Sequence, residues 1–328
     1  MQTFSGTEYV KIDIANQFGL DRLRWRDRIH WVNNNRPDLT ELAENSEKPH
    51  LFTKALRALQ AAEKGIAHRF IMGLDATASG LQMMAAMSGC HETARCVNLI
   101  NTDEREDVYQ EVADTMSEYT GATVTKSIVK KPVMTFFYGS QAQPKSIFGE
   151  GSTLSAFYSA LGNLMPGAME LMKLFQQFWD PQATHYQWAM PDGHVVHWPV
   201  MQTKDQDMEI DEAHHTRFVY RAKFPKAQLQ GRALAANITH SVDAFACREM
   251  VRGCQKRGFH MVPIHDCFYA HPNDMNAVRE QYVEVLASIA EQNLVTSVLS
   301  QISGRTFNFH KKTKDLPELI RGSDYALS

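Results

Sequence analysis

The sequence has no Cys-x-x-Cys pair. Its five cysteines (Cys90, Cys96, Cys247, Cys254, Cys267) are odd in number and scattered. That argues against a disulfide framework or a paired-cysteine zinc site and for free thiols in a reducing compartment. No apolar run is long enough to span a bilayer, and no repeat or low-complexity tract is found. A soluble, intracellular chain is expected. Excess positive charge is missing too: 34 Lys and Arg stand against 37 Asp and Glu, a net charge of −3. Bulk charge therefore does not announce a nucleic-acid binder. Apolar residues are plentiful, at 44% of 328 residues, enough for the core of one large domain or two.

The most organised stretch runs from Arg69 to Met87. Phe70, Ile71, Met72 and Leu74 read as a short buried strand, with one carboxylate, Asp75, at its end. Thr77, Ser79 and Gly80 are turn and N-cap types, and Leu81, Met84, Ala85 and Met87 follow at helical spacing. An acid at the rim of a sheet serves a metal, acts as a base or caps the helix that follows. Taken alone, capping is the first reading. Ahead of this stretch, Glu8 to Phe18, Arg22 to Asn34 and Leu51 to Ile66 read as scaffold helices. Behind it, a helix within His91 to Met116 carries Glu104, Glu106, Asp107, Glu111 and Asp114, expected to be solvated.

A second stretch, Thr125 to Ser140, places Lys126, Lys130, Met134 and Tyr138 four residues apart. On a helix these form one stripe, cationic at one end and aromatic at the other. The opposite side (Ile128, Val129, Val133, Phe136, Phe137) is apolar, and Gly139 closes the helix behind the tyrosine. Two lysines on a helix are ordinarily a solvated face; lysines for phosphates and a ring for a base or sugar are what a nucleoside triphosphate needs. The third stretch, Gly258 to Pro272, reads as strand, tight turn and strand with His265-Asp266 at the turn, where aspartate is a common turn former. His185 to Val200, with Pro191-Asp192-Gly193 at its centre, reads as a further hairpin.

Together, in this order, the three stretches resemble motifs A, B and C of the single-subunit RNA polymerases of bacteriophages and mitochondria. Asp75-Ala-Thr-Ala-Ser-Gly-Leu-Gln82 is similar to that family's Asp-Gly-x-x-Ser-Gly-x-Gln. Lys126 to Ser140 matches its basic-x-x-x-Lys-x-x-x-x-x-x-x-Tyr-Gly-Ser, and His265-Asp266-Cys267-Phe268 its His-Asp-Ser-Phe. The likeness extends to Tyr9 to Asn34, Val97-Asn98-Leu99, Asn237 to Asp243 and the terminal Ser-Asp-Tyr-Ala-Leu-Ser. It implies a helix-rich α+β fold of polymerase palm and fingers, a right-hand polymerase without N-terminal domain and thumb. Palm with motif A would occupy 1–100, fingers with motif B 101–180, and palm with motif C and the tail 181–328.

The resemblance also assigns roles. Asp75 and Asp266, with the carbonyl of Ala76, would hold two Mg2+ ions roughly 3.5–4 Å apart. Lys130 would contact the phosphates and protonate the leaving group. Lys126, where the family usually has arginine, would orient the triphosphate. Tyr138 and His240 would recognise the ribose 2′ hydroxyl, and Gly139 behind Tyr138 would belong to the same substrate-binding set. The related DNA polymerases carry a blocking glutamate where Gly80 stands here. Without the family, His240 reads as a core histidine on a helix from Leu234 to Met250.

The departures set further expectations. Pro132 lies within the presumed helix, so the helix either kinks or begins near Lys130. Cys267 replaces a serine. The gap between Val200 and Lys226, where the family has a promoter-reading hairpin, is short and begins acidic (Asp205, Asp207, Glu209, Asp211, Glu212), so promoter reading by this chain is not expected. Family members have several hundred residues ahead of motif A, among them a basic template grip; far fewer precede Asp75. A second polymerase subunit supplying the N-terminal domain, thumb and grip is therefore expected, as in the split, heterodimeric polymerases of some lytic phages. A shortened form of a longer enzyme is the competing explanation. The expected partners are DNA template, RNA product and rNTPs, in the cytoplasm of the infected host where a phage encodes the chain. A DNA polymerase or primase, and a catalytically silent nucleic-acid-binding subunit, are the alternatives.

Overall fold

The computed structural model describes residues 1–102, 104–211, 214–228, 231 and 233–328. The chain begins with α1 (Gly6–Phe18), opened by a capping box in which Ser5 and Glu8 satisfy each other's backbone N–H and closed by Gly19 in the left-handed region. Then come α2 (Trp25–Asn34), α3 (Leu39–Leu42) and α4 (Pro49–Glu63), the last with proline at its first turn, where no N–H is needed. Strand β1 (Met72–Asp75) leads into α5 (Ser79–Ser88), followed by α6 (His91–Cys96), α7 (Val108–Thr120), α8 (Lys126–Phe136), α9 (Ala142–Phe148), α10 (Ser152–Leu164) and α11 (Pro166–Gln177). Next are β2 (His185–Ala189), β3 (Val195–Pro199), β4 (Met201–Ile210), β5 (Thr216–Pro225), the long α12 (Ala233–Lys256), β6 (Val262–Ile264) and β7 (Cys267–Ala270). Helices α13 (Met275–Glu291), α14 (Leu294–Ser303) and α15 (Leu316–Arg321) complete a helix-rich α+β molecule. None of its described helices is long and apolar enough to cross a membrane.

At the centre lies a three-stranded antiparallel sheet in the order β1-β7-β6. Met72 faces Ala270 and Asp75 faces Cys267, so two distant parts of the sequence share one ladder. Helices α5, α12 and α13 pack together beside it. Apolar burial runs through them from Tyr9 to Leu327 in one contiguous core. Two arginines sit inside it, and both are satisfied. Arg279 donates to Gln2 O and Tyr9 Oη, and Arg28 to Leu23 O and Asn16 Oδ1. Both guanidinium groups also lie over the Trp25 ring.

Several expectations need correction. Strand β1 starts at Met72 rather than Phe70. Helix α8 begins at Lys126 and runs through Pro132, whose buried ring costs one backbone donor without ending the helix, so Lys126 stands on the same helix as Lys130. Ile128 is exposed and does not belong to the apolar side. Of the acids around α7, Glu104 and Asp114 are exposed as expected, but Arg95 pairs with Glu106 and Glu111, and Asp107 caps α7 at Gln110 N. The span between Val200 and Lys226 is no short gap. Strands β4 and β5 form a ribbon there with ten paired positions, and its acids are partly neutralised across the ladder by Arg217–Glu209 and Arg221–Asp205. Glu212 lies outside the described residues. The hairpin at His185 to Val200 is present as β2 and β3, with Gly193 at positive φ in its turn, and all five cysteines are free.

Candidate active site

Asp75 and Asp266 are brought near each other because β1 and β7 are ladder neighbours. One residue beyond β1, Ala76 N–H donates to Asp266 O at 3.0 Å. Asp266 sits in the two-residue turn between β6 and β7, and His265 makes that turn with a left-handed φ of 55°, a conformation histidine adopts more readily than most residues. Asp75 does not cap α5. The N-cap of that helix is Ala78, also left-handed, and it makes no side-chain bond. The Ser79 side chain instead lies beside two carboxylates, Asp266 and Asp243, and works to lower the pKa of each.

Burial raises the Asp266 carboxyl above its ordinary pKa, and the charge of Asp75 raises it further. Burial and then the Asp266 charge do the same to Asp243. A cluster of acids that resist ionising together is an environment a cation relieves, and the hard oxygens of Asp75, Asp266 and the Ala76 carbonyl suit Mg2+. Among the described residues, the tightest grouping of potential metal ligands is elsewhere, at the exposed tip of the β4–β5 ribbon: Glu209, Asp211 and His215. Asp243 escaped sequence reading as a site residue. Its signal was its place three positions after His240, one turn along α12.

A cavity of about 610 Å3 opens over this pair. Asp75, Ala76, Ser79, Gly80 and Asp266 line it together with Lys126, Lys130, Met134 and Tyr138 from α8 and its end. The expected stripe therefore shares one cavity with the acids. Lys126 is ion-paired with Asp107, and Lys130 Nζ lies 6.0 Å from the centre of the Tyr109 ring. Tyr138 stacks on His240 at 4.6 Å with the planes 7° apart. A Cβ built on Gly80 would come within 2.6 Å of the Tyr138 hydroxyl. His240 is exposed, not a core histidine. Gly139 turns the chain at φ 88° behind Tyr138. Neither Gly139 nor His240 lines the cavity; His240 reaches it through the Tyr138 ring.

The C-terminal residues hold the other edge of β1. Ser328 N–H donates to Asp75 O at 2.9 Å, Thr77 N–H to Ala326 O at 3.2 Å, and the Thr77 hydroxyl to Tyr325 O at 2.9 Å. Gln82, fully buried on α5, donates to Val97 O and Ala326 O and accepts from the Tyr282 hydroxyl at 2.7 Å. Arg105, which sequence reading passed over, lines the cavity and donates to Ser328 Oγ.

Comparison with known proteins agrees with this geometry. A family model described as DNA-dependent RNA polymerase matches residues 2–146 and 142–321. The mitochondrial DNA-directed RNA polymerase of Schizosaccharomyces pombe is 21% identical, over 93% of this chain and 32% of the relative. The DNA-directed RNA polymerase of Pseudomonas phage phiKMV is 24% identical over 88% of this chain and 44% of its own length. DNA-directed RNA polymerase 1, mitochondrial, of Arabidopsis thaliana is 24% identical over 89% and 36%. The chain spans about a third to under a half of these relatives. Each of them is named as a polymerase in its own right, which lends no support to the expected second subunit. With most of its length matched, the chain belongs to the DNA-dependent RNA polymerase family of the phage and mitochondrial type.

Proposed function

We propose that the chain carries the catalytic centre of a DNA-directed RNA polymerase, transferring a nucleotidyl group from an rNTP to the 3′ hydroxyl of an RNA on a DNA template. The observation that carries this reading is that the Ala76–Asp266 backbone bond sets Asp75 and Asp266 on the lining of one cavity with Lys126, Lys130 and Tyr138. In this reading the β1-β7-β6 sheet and its flanking helices are the palm and the region around α8 the fingers, with divisions at 1–100, 101–180 and 181–328.

Asp75, Asp266 and the Ala76 carbonyl would hold two Mg2+ ions, which supply Lewis-acid activation of the attacking hydroxyl and neutralise the pyrophosphate leaving group. The chain's own residues do the rest. Lys130 binds the phosphates and delivers a proton to the leaving oxygen, and Lys126 orients the triphosphate. The Tyr138 hydroxyl, kept protonated because burial and then the charges of Asp243 and Asp266 raise its pKa, hydrogen-bonds the ribose 2′ hydroxyl. His240 backs the Tyr138 ring. Gly80 leaves room that any side chain would fill. A second subunit has no support among the relatives, and the proposal stands without it.

The test is primed RNA synthesis on a single-stranded DNA template with Mg2+, comparing wild type with Asp266→Ala. Loss of synthesis by about a thousandfold or more, with melting temperature kept, is expected. Synthesis unchanged in Asp266→Ala would leave a catalytically silent subunit, and dNTPs used as readily as rNTPs would make the protein a DNA polymerase.

A further inference from the structure

Both lysines of the α8 stripe are held at the start of α7. Lys126 is ion-paired with Asp107, Lys130 approaches the face of Tyr109, and all four side chains line the cavity. The pair is well shielded, with 16% of the Lys126 side chain and 22% of that of Asp107 exposed. It is therefore stronger than an open surface contact. Asp107 has two other partners: Gln110 N–H donates to its Oδ1 at 3.3 Å, and Arg22 Nε stands 3.8 Å from its Oδ2.

We propose that Asp107 is a positioning residue that occupies Lys126 in the empty site and yields it to the incoming triphosphate, thereby setting the affinity for that substrate. This rests on the polymerase reading above. A triphosphate at Lys126 replaces one anion by a more highly charged one. Asp107 cannot keep its place on Lys126 beside the phosphates without like-charge repulsion. Arg22 and the α7 N-terminus are already within reach, so the displaced carboxylate moves to a neighbouring cation and is not left unpaired. The exchange needs no rearrangement of the fold.

Asp107→Asn tests this cleanly, because asparagine caps a helix as well as aspartate does and only the charge is lost. The KM for rNTP is expected to fall about three- to tenfold, the scale of one partly shielded ion pair, with kcat changing by less than KM. The Kd for inorganic pyrophosphate, measured by calorimetry without turnover, falls in parallel. Arg22→Gln does the reverse and raises KM, since Asp107 loses its alternative partner, and it has no effect when combined with Asp107→Asn. KM and pyrophosphate affinity unchanged or weakened in Asp107→Asn overturn the proposal, because a merely structural Asp107 gives that result together with a lower melting temperature. The two readings fail separately. If wild type makes no RNA while Asp107→Asn binds pyrophosphate more tightly, the exchange stands and the polymerase assignment falls. If wild type makes RNA and Asp107→Asn shows no gain, only the exchange falls.

Discussion

The hydroxyl of Tyr138 occupies the space in which a side chain at position 80 would begin: a Cβ on Gly80 would lie 2.6 Å from it. Glycine at 80 and tyrosine at 138 are therefore a matched pair. Gly80→Ala is expected to push Tyr138 off its stack on His240 and to weaken preference for rNTPs over dNTPs. Tyr138→Phe keeps the ring and removes one neutral hydrogen bond, so the preference should fall by about three- to tenfold. Parallel kcat/KM measurements with rNTP and dNTP check both; a preference unchanged in Tyr138→Phe would remove the hydroxyl from any role in sugar choice.

Asp13 on α1 is buried, its pKa pushed up to about 6 by burial against the smaller opposing effects of Gln17, Lys54 and Lys48. In the unfolded chain it titrates near 4. Between those values the folded protein holds a proton the unfolded chain has lost, so this group's contribution to stability declines as pH rises from about 4 to 6 and is flat above. Asp13→Asn should remove the decline, gaining up to about 2 to 3 kcal/mol at pH 7 and nothing below pH 4. Thermal melts of both proteins across that range give the answer, and an advantage independent of pH would contradict it.

Gln82 ties α5 to Ala326 and to Tyr282. Gln82→Leu would orphan the Val97 carbonyl and the buried Tyr282 hydroxyl, at about 1–3 kcal/mol each before relaxation, and would leave Ala326 O with Thr77 N–H alone. The expected loss is several kcal/mol of stability, with faster amide exchange at Thr77 and Ser328, the N–H groups that join β1 to the tail. Exchange at those two amides no faster than in wild type would show that the tail is held without Gln82.

Cys267 lies beside Asp75 and Tyr269, its thiol pushed up to about 12 by burial, against a smaller lowering by Tyr269 and with further raising by Asp75 and Asp266. It should resist alkylation at pH 8, while the half-buried Cys247 reacts first. Mass spectrometry of the native protein after iodoacetamide treatment checks the order.

Much of the site was legible because its signals are local. A strand ending in Asp75, a helix with Lys126 and Lys130 one turn apart, and a His265-Asp266 turn each follow from a short stretch, and the ladder joins what the motif order implied. The contributions that stayed hidden depend on tertiary neighbours. Asp107 looked like one more surface acid, since its pairing with Lys126 exists only once α7 packs on α8. Asp243, marked only by its spacing from His240, and Arg105, which no spacing marks, matter through neighbours distant in sequence, Asp266 and Ser328. The β4–β5 ribbon was missed because the acids that open this stretch, read without Arg217 and Arg221 opposite, suggested only a short acidic gap.

The hold of Ser328 on Asp75 bears on how the protein should be handled. Residues fused behind Ser328 would emerge beside Asp75 and obstruct the very cavity an assay is meant to probe. The N-terminal amine offers no freer attachment point, since it lies 3.9 Å from Asp324 in the same tail. A purification handle belongs instead in the exposed turn at 149–151, far along the chain from both acids.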